Sequence, residues 1–525
     1  MGIYDYIIVG GGISGLFMTY KLAETGKDIL LVESTNRLGG RVYTTKEKGV
    51  QFELGAARIS SKHTKMLSLI DELGLQDDLI KLSDEITYKI KGPNVNYYSL
   101  VKELLEGSKL YTKKYLQSIN LLQLCIDVLG HQGATTFQYK LGYDSEFESL
   151  NAHQALQSYK NDLFTACDYY VMKNGLSSII ESLSTLLKEK DNVKIKLDVN
   201  VTDIGKNFIQ IDKKKKYSSS IICCVPYASL NSFPKFKDVH EIQAVKPIPL
   251  LRIYAKYPKD KDGKVWFHKL HRTITSNYIR HIIPIDYESG LIMISYTDGQ
   301  YADMWNNLSK ISDKVLLEHL HKEVKEVLGK KPPKPDFITS HYWSAGVHMW
   351  KPGYNVKEMY EKVIQPFNGE KIFVVNEAYS THQCWIEGCL EASYDVLELI
   401  DSSFKRGKPK NKPKNKVKGG SSKSLKTKIY TLKQVLKKRN WIVLDIKGKL
   451  RIYDVGKWLQ DHPGGASNLR KGIKANKYYQ NKDKYPESPI HLFKQIGAHM
   501  SGKVIQNMLV KENDKVKFIG VLKKV

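Results

Sequence analysis

Ile7-Ile8-Val9-Gly10-Gly11-Gly12-Ile13-Ser14-Gly15, preceded by Tyr4-Asp5-Tyr6, is the stretch on which the reading of the fold turns. Tyr4 to Val9 is an apolar run of strand length, Gly10-x-Gly12-x-x-Gly15 is a turn, and Leu16 to Leu22 reads as helix. Lys27 to Val32 gives a second strand, closed by Glu33. Each part has a physical task. Gly10 permits the tight turn, Gly12 lets backbone approach a pyrophosphate, and Gly15 lets the helix pack on the strand. The helix start offers free N–H groups and a positive dipole end to phosphate, and Glu33 accepts hydrogen bonds from a ribose. Strand, turn, helix, strand and acid in that order predict a dinucleotide site on an α/β sheet.

A chain of 525 residues is too long for one ordinary core, and its 42% apolar content suffices for several. The formal charge of +27 is unevenly spread. Residues 1–401 hold 50 basic and 48 acidic residues, whereas 402–428 hold 11 basic and no acidic ones and 429–525 hold 21 against 7. Like charges with Pro and Gly leave nothing to bury, so 402–428 reads as a flexible linker. It separates an N-terminal domain, 1–401, from a short α+β segment, 429–525. Within the first, a helical block near 62–163 and a strand-rich block near 245–345 form the expected substrate part. No aromatic-interleaved basic motif accompanies the charge, so no specific nucleic-acid partner is expected, only weak contact of the linker with an anionic surface. Six cysteines without Cys-x-x-Cys or disulfide-framework spacing suit a reducing compartment. The opening lacks a basic-then-apolar leader and no run of 18 apolar residues occurs, which leads to the expectation of a cytoplasmic chain without a transmembrane segment. The Lys, Asn, Ile and Tyr bias suggests an AT-rich protist or viral source.

The glycine turn alone does not choose between FAD and a nicotinamide. Arg37-Leu38-Gly39-Gly40-Arg41 follows Glu33 directly, and here the chain resembles the flavin amine oxidase superfamily of monoamine, polyamine and L-amino-acid oxidases. The resemblance implies a two-domain, Rossmann-like FAD-binding fold in which Gly39 and Gly40 lie against the cofactor while Arg37 and Arg41 meet phosphate. It continues at Leu197 to Ile204, with Val201 at the adenine-side position, and at Ser219 to Pro226, which looks like the strand re-entering the FAD sheet. Near the end, Phe373-Val374-Val375-Asn376-Glu377 and Trp385-Ile386-Glu387-Gly388 resemble the closing motif, in which Glu377 and the backbone around Ile386 hold the ribityl chain and flavin.

The same resemblance implies oxidation of an amine or L-amino acid to the imine. Trp385 then stands at one aromatic wall, and His348 and Trp350 fall near the opposite one. Arg58, after Glu53-Leu54-Gly55-Ala56-Ala57, matches the arginine that grips a substrate carboxylate; a structural ion pair is the other reading of it. A tyrosine from the Tyr278-Ile279-Arg280-His281 region would be the second carboxylate contact. Val347 stands where monoamine oxidases attach flavin through cysteine, so the FAD is expected to be noncovalent. Arg252 stands where the family has a lysine holding a water beside the flavin, and Lys256, about 13 Å further along the strand, is no substitute. Since arginine stays protonated, slow reaction with oxygen and use of another acceptor are expected.

Residues 429–525 offer such an acceptor. Tyr430-Thr431-Leu432, Trp441 to Asp445, Ile452 to Val455 and Asp461-His462-Pro463-Gly464-Gly465 resemble cytochrome b5 in order and spacing. The resemblance implies haem b with His462 and His499 as axial iron ligands, His491 being the fallback for the second. A 27-residue tether spans about 30 Å. The whole chain then reads as amine to FAD to haem to an unknown acceptor. A desaturase-like flavoprotein fed through the haem, and an inactive scaffold docking through the b5-like part, are the alternatives.

Overall fold

The computed structural model describes residues 3–404, apart from 84, 94 and 163–166, and the strand residues 429–430, 441–446, 449–454 and 517–522. The chain divides into two units, Met1–Lys410 and Asn411–Val525.

In the first unit β1 (Tyr4–Val9), the helix α1 (Ile13–Ala23) and β2 (Ile29–Val32) form the expected turn of strand, helix and strand. β1 is central because its last four residues are apolar on both faces, as a strand covered from both sides requires. It pairs in parallel with Ile29–Val32 on one side and with Ser218–Cys223 on the other. Val193–Lys196 extends the sheet beyond β2, and Ile372–Val374 extends it beyond 221–223. The register aligns Val9 with Val32 and Cys223, and Cys223 with Val374. Four strands therefore end level. Their carboxyl edge carries Gly10, Glu33, Cys224 and Asn376-Glu377, the place where open α/β sheets bind ligands.

α1 packs close to this sheet, and two glycines allow it. A Cβ on Gly15 would stand 1.9 Å from the Gly10 carbonyl oxygen, and Gly10 itself has φ +104° with its Cα beside the Cys224 carbonyl. Leu16, Met18 and Leu22 are fully buried beneath the helix.

A second sheet of six strands runs in the order 337–350, 245–256, 291–298, 281–286, 272–275 and 86–89. Alternation along Val245–Lys256 separates its two faces. Leu251, Ile253 and Ala255 join Trp305, Leu316 and Leu320 of the helices Gly299–Ile311 and Asp313–Leu328 in one apolar cluster. Leu250, Arg252 and Tyr254 therefore face the other way, the first two toward the site and Tyr254 onto Phe52. The helical block contains the expected helices from Thr64 to Asp162, but also short strands at Leu79–Lys81 and Ile86–Lys89. The latter joins the second sheet through Arg272–Thr275.

In the second unit, Trp441–Ile446 and Lys449–Asp454 form a hairpin, Lys517–Leu522 pairs with the latter, and Ile429–Tyr430 lies parallel to Val521–Leu522. His462, His491 and His499 lie outside the described residues.

Because the Gly15 contact is with backbone, which cannot swing aside, Gly15→Ala should cost on the order of 3 kcal/mol and release bound FAD. Thermal unfolding and the flavin content of purified protein are the checks.

Candidate active site

The carboxyl edge of the parallel sheet and the site-facing side of the second sheet enclose a cavity of about 680 Å³. From the first side it is lined by Gly10, Gly12, Glu33, Arg37, Gly39, Gly40 and Arg41, with Val201 from the neighbouring strand. Glu377, Trp385 and Ile386 come from the closing segment, and Arg58, Arg252, Tyr296 and Trp343 from the substrate side. Gly15 lies in α1 against the Gly10 carbonyl and His348 lies behind the wall; neither lines the space.

The nucleotide side is open to a ligand where one is needed. α1 starts at Gly12 with no side-chain cap, and a Cβ built on Gly12 meets nothing within 4 Å. Uncapped N–H groups and free volume at one helix end fit a pyrophosphate. Glu33 is fixed by its own loop: one carboxylate oxygen accepts the Gly11 N–H at 2.7 Å and the other accepts the Thr35 N–H at 2.9 Å. The Val199 N–H donates to the Glu33 carbonyl at 2.9 Å, which brings Val201 alongside. FAD fits this lining.

Arg37 lies 3.9 Å above the Tyr43 ring and donates to the carbonyls of Leu38 and Gly40, so it shapes the glycine loop as well as lining the cavity. Arg41 donates to the Gly346 carbonyl at 2.9 Å and to Glu377 at 2.8 Å. Glu377 also accepts the Cys384 N–H at 2.8 Å and contacts the His348 ring nitrogen Nδ1 at 3.0 Å. Burial opposes the Glu377 charge, but Arg41 and His348 overcome it and hold the carboxyl well below the usual range. His348 is fully buried and serves Glu377, rather than forming an aromatic wall. Trp350 is likewise sealed in the core, donating to the Ser380 carbonyl at 2.9 Å.

The apolar walls are Trp385 and Trp343. Trp385 meets His63 edge-on at 4.7 Å and stacks on Tyr169 at 6.2 Å. Trp343 donates to the Leu54 carbonyl at 2.7 Å, which locks its ring. Arg252 donates to the Glu53 carbonyl at 2.9 Å and lies 4.8 Å above the Tyr296 ring. Lys256 points away, donating to the Lys48 carbonyl at 3.2 Å. Arg58 donates to the Tyr143 hydroxyl at 3.1 Å and has no carboxylate partner among the described residues.

The Tyr278–His281 segment does not supply the expected tyrosine. Tyr278 is 50% exposed on the surface, and Arg280 is buried against Asp144 at 3.0 Å. The tyrosines that do line the cavity are Tyr143 and Tyr296. Asp298, also on the wall, accepts the N–H groups of Asp144 and Ser145 at 3.0 Å each; burial and the Asp144 charge push its carboxyl up to about 7. Simple alternation from Leu291 would put Tyr296 with Ile292 and Ile294 on the helix-facing side, and the bulge opposite Ile253 and Tyr254 turns it to the site beside Arg252; nothing local distinguishes Trp343, Tyr143 or Asp298. Among the described residues no three His, Cys, Asp or Glu side chains cluster as a metal site, and no helix is long and apolar enough to cross a membrane.

The family model for flavin containing amine oxidoreductases matches residues 13–396, and the chain belongs to that family. It is similar to flavin-containing amine oxidase A of Canis lupus familiaris, 34% identical over 91 residues, 17% of each chain. With amine oxidase B of Homo sapiens it is 32% identical over 89 residues, again 17% of each. The matched stretch thus spans about one sixth of these relatives. The fold is shared with a putative protoporphyrinogen oxidase from Exiguobacterium sp. 255-15, with a TM-score of 0.60 and 17% identity over 77% of this chain and 100% of that one. It is shared also with a putrescine oxidase redesigned in its cofactor binding, with a TM-score of 0.61 and 16% identity over 76% of this chain and 98% of that one. This family carries flavin, in agreement with the lining of the cavity.

Glu377→Gln leaves Arg41 without its counter-charge. Arg41 keeps 28% exposure, so the expected destabilisation at neutral pH is about 3 kcal/mol, the lower end for a broken buried pair. A depressed carboxyl stabilises the fold above its unfolded value, so the gap between wild type and variant should shrink as pH falls below about 4.3. Denaturant unfolding at several pH values checks both.

Proposed function

We propose that residues 1–401 form an FAD-dependent oxidoreductase that oxidises the C–N bond of a small amine or L-amino acid to the imine. The observation that carries this reading is a single cavity lined by an uncapped helix start and Glu33 from the parallel sheet and by two tryptophans and two arginines from the substrate side. When bound, FAD supplies the two-electron acceptor. Gly12 and the α1 N–H groups would hold its pyrophosphate, Glu33 a ribose, the backbone at Val201 the adenine, and Glu377 with Ile386 the ribityl and ring portion.

The chain's own contribution at the substrate is desolvation and fixed charge. Trp343 and Trp385 withhold water, which disfavours an ammonium ion and leaves the neutral amine as the species bound. Trp343 is held by Leu54 and Trp385 by His63 and Tyr169, so neither wall has to be ordered on binding. Arg252 places a permanent positive charge on the wall and accepts no proton there. With arginine in the position of the family lysine, reoxidation by air is expected to be slow compared with turnover on an artificial dye acceptor. Ammonia release from a panel of monoamines, diamines and L-amino acids tests the activity, and stopped-flow reoxidation tests the role of Arg252. Arg252→Lys should speed reoxidation about tenfold, or ~1.4 kcal/mol in the barrier; an unchanged rate contradicts that role.

For residues 429–525 we propose a b5-like module that would hold haem b through His462 and His499 and serve as the electron acceptor. The family match ends at residue 396, and both histidines lie outside the described residues. What supports the reading is the four-stranded sheet on the segments that carry the resemblance, with Trp441–Ile446 and Lys449–Asp454 as its hairpin. Held by these two histidines, haem would supply one-electron transfer. Full-length protein supplied with haem should show a low-spin Soret band that His462→Ala abolishes. Protein that takes up no haem contradicts this part alone.

A further inference from the structure

The helix Asp144–Ser149 begins on the cavity wall without a cap of its own. The residue before it, Tyr143, makes no side-chain bond to its first turn, whose N–H groups no carbonyl within the helix can meet. Asp298, 154 positions away, meets them instead: one carboxylate oxygen accepts the Asp144 N–H and the other the Ser145 N–H, each at 3.0 Å. The approach is close. Gly299 has φ +55°, and a Cβ there would stand 2.3 Å from the Ser145 hydroxyl oxygen. The far side of the helix is anchored separately by Phe147, fully buried and stacked on Phe137 at 6.1 Å, so it is the first turn that depends on the carboxylate.

What this turn carries gives the contact a function. Tyr143 and Glu146 line the cavity, as do Asp298 itself and Tyr296, two residues before it on the strand Leu291–Asp298. The Tyr143 ring meets His281 at 4.8 Å and Tyr296 edge-on at 5.7 Å, and its hydroxyl accepts from Arg58 at 3.1 Å. Asp298 therefore ties the end of a strand to the segment that sets two wall residues. The charges around it act in opposite senses. The Asp144 carboxylate, on the clasped helix, opposes its ionisation, and Arg280, which meets Asp144 at 3.0 Å, favours it. Tyr301, on the helix that starts at Gly299, and Cys384, on the closing segment, face the same group of charges, and the apolar Leu250 lies opposite on the neighbouring strand.

We propose that Asp298 is a positioning residue of this cavity: its ionised carboxylate clasps the first turn of the helix Asp144–Ser149 and holds Tyr143 and Glu146 in place for a ligand, and protonation opens the clasp. An ionised carboxylate accepts at both oxygens, whereas protonation makes one oxygen a donor, and here that donor faces an N–H. One of the two N–H groups then loses its partner in a buried place, and the turn relaxes. Burial and the Asp144 charge push the carboxyl up to about 7, which brings the change near neutral pH. The clasp rests on the FAD-containing cavity of the reading above and is independent of which amine that cavity takes.

The test titrates the full-length FAD-loaded protein with benzamide, which stays uncharged throughout, from about pH 5.5 to about pH 8.5, reading perturbation of the flavin absorption. Affinity is expected to rise about fivefold through one proton step near neutral pH, the lower end for two coupled sites. Asp298→Asn offers one acceptor and turns a donor toward the second N–H, so it should bind benzamide about fivefold more weakly than wild type at the alkaline end and show no step. Hydrogen exchange over residues 143–149, corrected for the intrinsic rate, needs neither variant nor ligand, and its protection should rise through the same step. Where benzamide leaves the flavin unperturbed, exchange alone decides. Wild-type affinity that is flat with pH, a step that survives in Asp298→Asn, or protection that does not change each overturns the clasp. Amine oxidation with flat affinity sinks the clasp and leaves the amine reading standing; the step without turnover of any amine does the reverse.

Discussion

The ion pair between Arg41 and Glu377 joins residues 336 positions apart, and the site depends on it. Arg41 follows the glycine loop after β2, Glu377 follows the strand Ile372–Val374, and His348 and Gly346 belong to Phe337–Trp350 of the second sheet. His348 contacts the Glu377 carboxylate and the Gly346 carbonyl accepts from Arg41, so both sheets meet at the pair. The pair is stable because Glu377 is almost fully buried with several donors on its two oxygens, so that desolvation is met by hydrogen bonds as well as by charge. The carboxyl edge of the parallel sheet and the face of the second sheet are thereby held around one cavity.

The arginines of the substrate side differ in what they meet. Arg252 is tied to Glu53 and the Tyr296 ring, and Arg280 to Asp144. Arg58 meets the Tyr143 hydroxyl. The two indoles that line the same cavity have their polar or edge contacts already made to protein, so the apolar walls stand formed before any ligand enters.

The β1–α1–β2 part of the parallel sheet was legible because every constraint on it is local. β1, the glycine turn, α1, β2 and Glu33 lie within thirty-odd consecutive residues, and period, spacing and residue type agree throughout. Residues of the closing motif, Glu377 and Ile386, were legible through resemblance. His348 was misplaced for a physical reason: sequence shows an aromatic ring at a wall position, but not that a buried carboxylate nearby captures its ring nitrogen. Tyr143, Tyr296 and Trp343 come from separate parts of the chain and line one cavity only once the second sheet has formed. Asp298 reads as an ordinary helix N-cap, whereas its side chain caps a different helix altogether, Asp144–Ser149, through long-range contacts. The finer expectation for residues 429–525 falls on His462 and His499, outside the described residues, and stands as a proposal.

The central claim is that this cavity brings an amine to a flavin for oxidation. It is tested most directly by mixing the FAD-loaded chain with amines and L-amino acids under strict anaerobiosis, with no added acceptor. The account predicts that the yellow absorption band bleaches with at least one amine or L-amino acid and that a carbonyl product and ammonia appear in matching amount. A band that persists with every amine, in protein that dithionite bleaches normally, would contradict it.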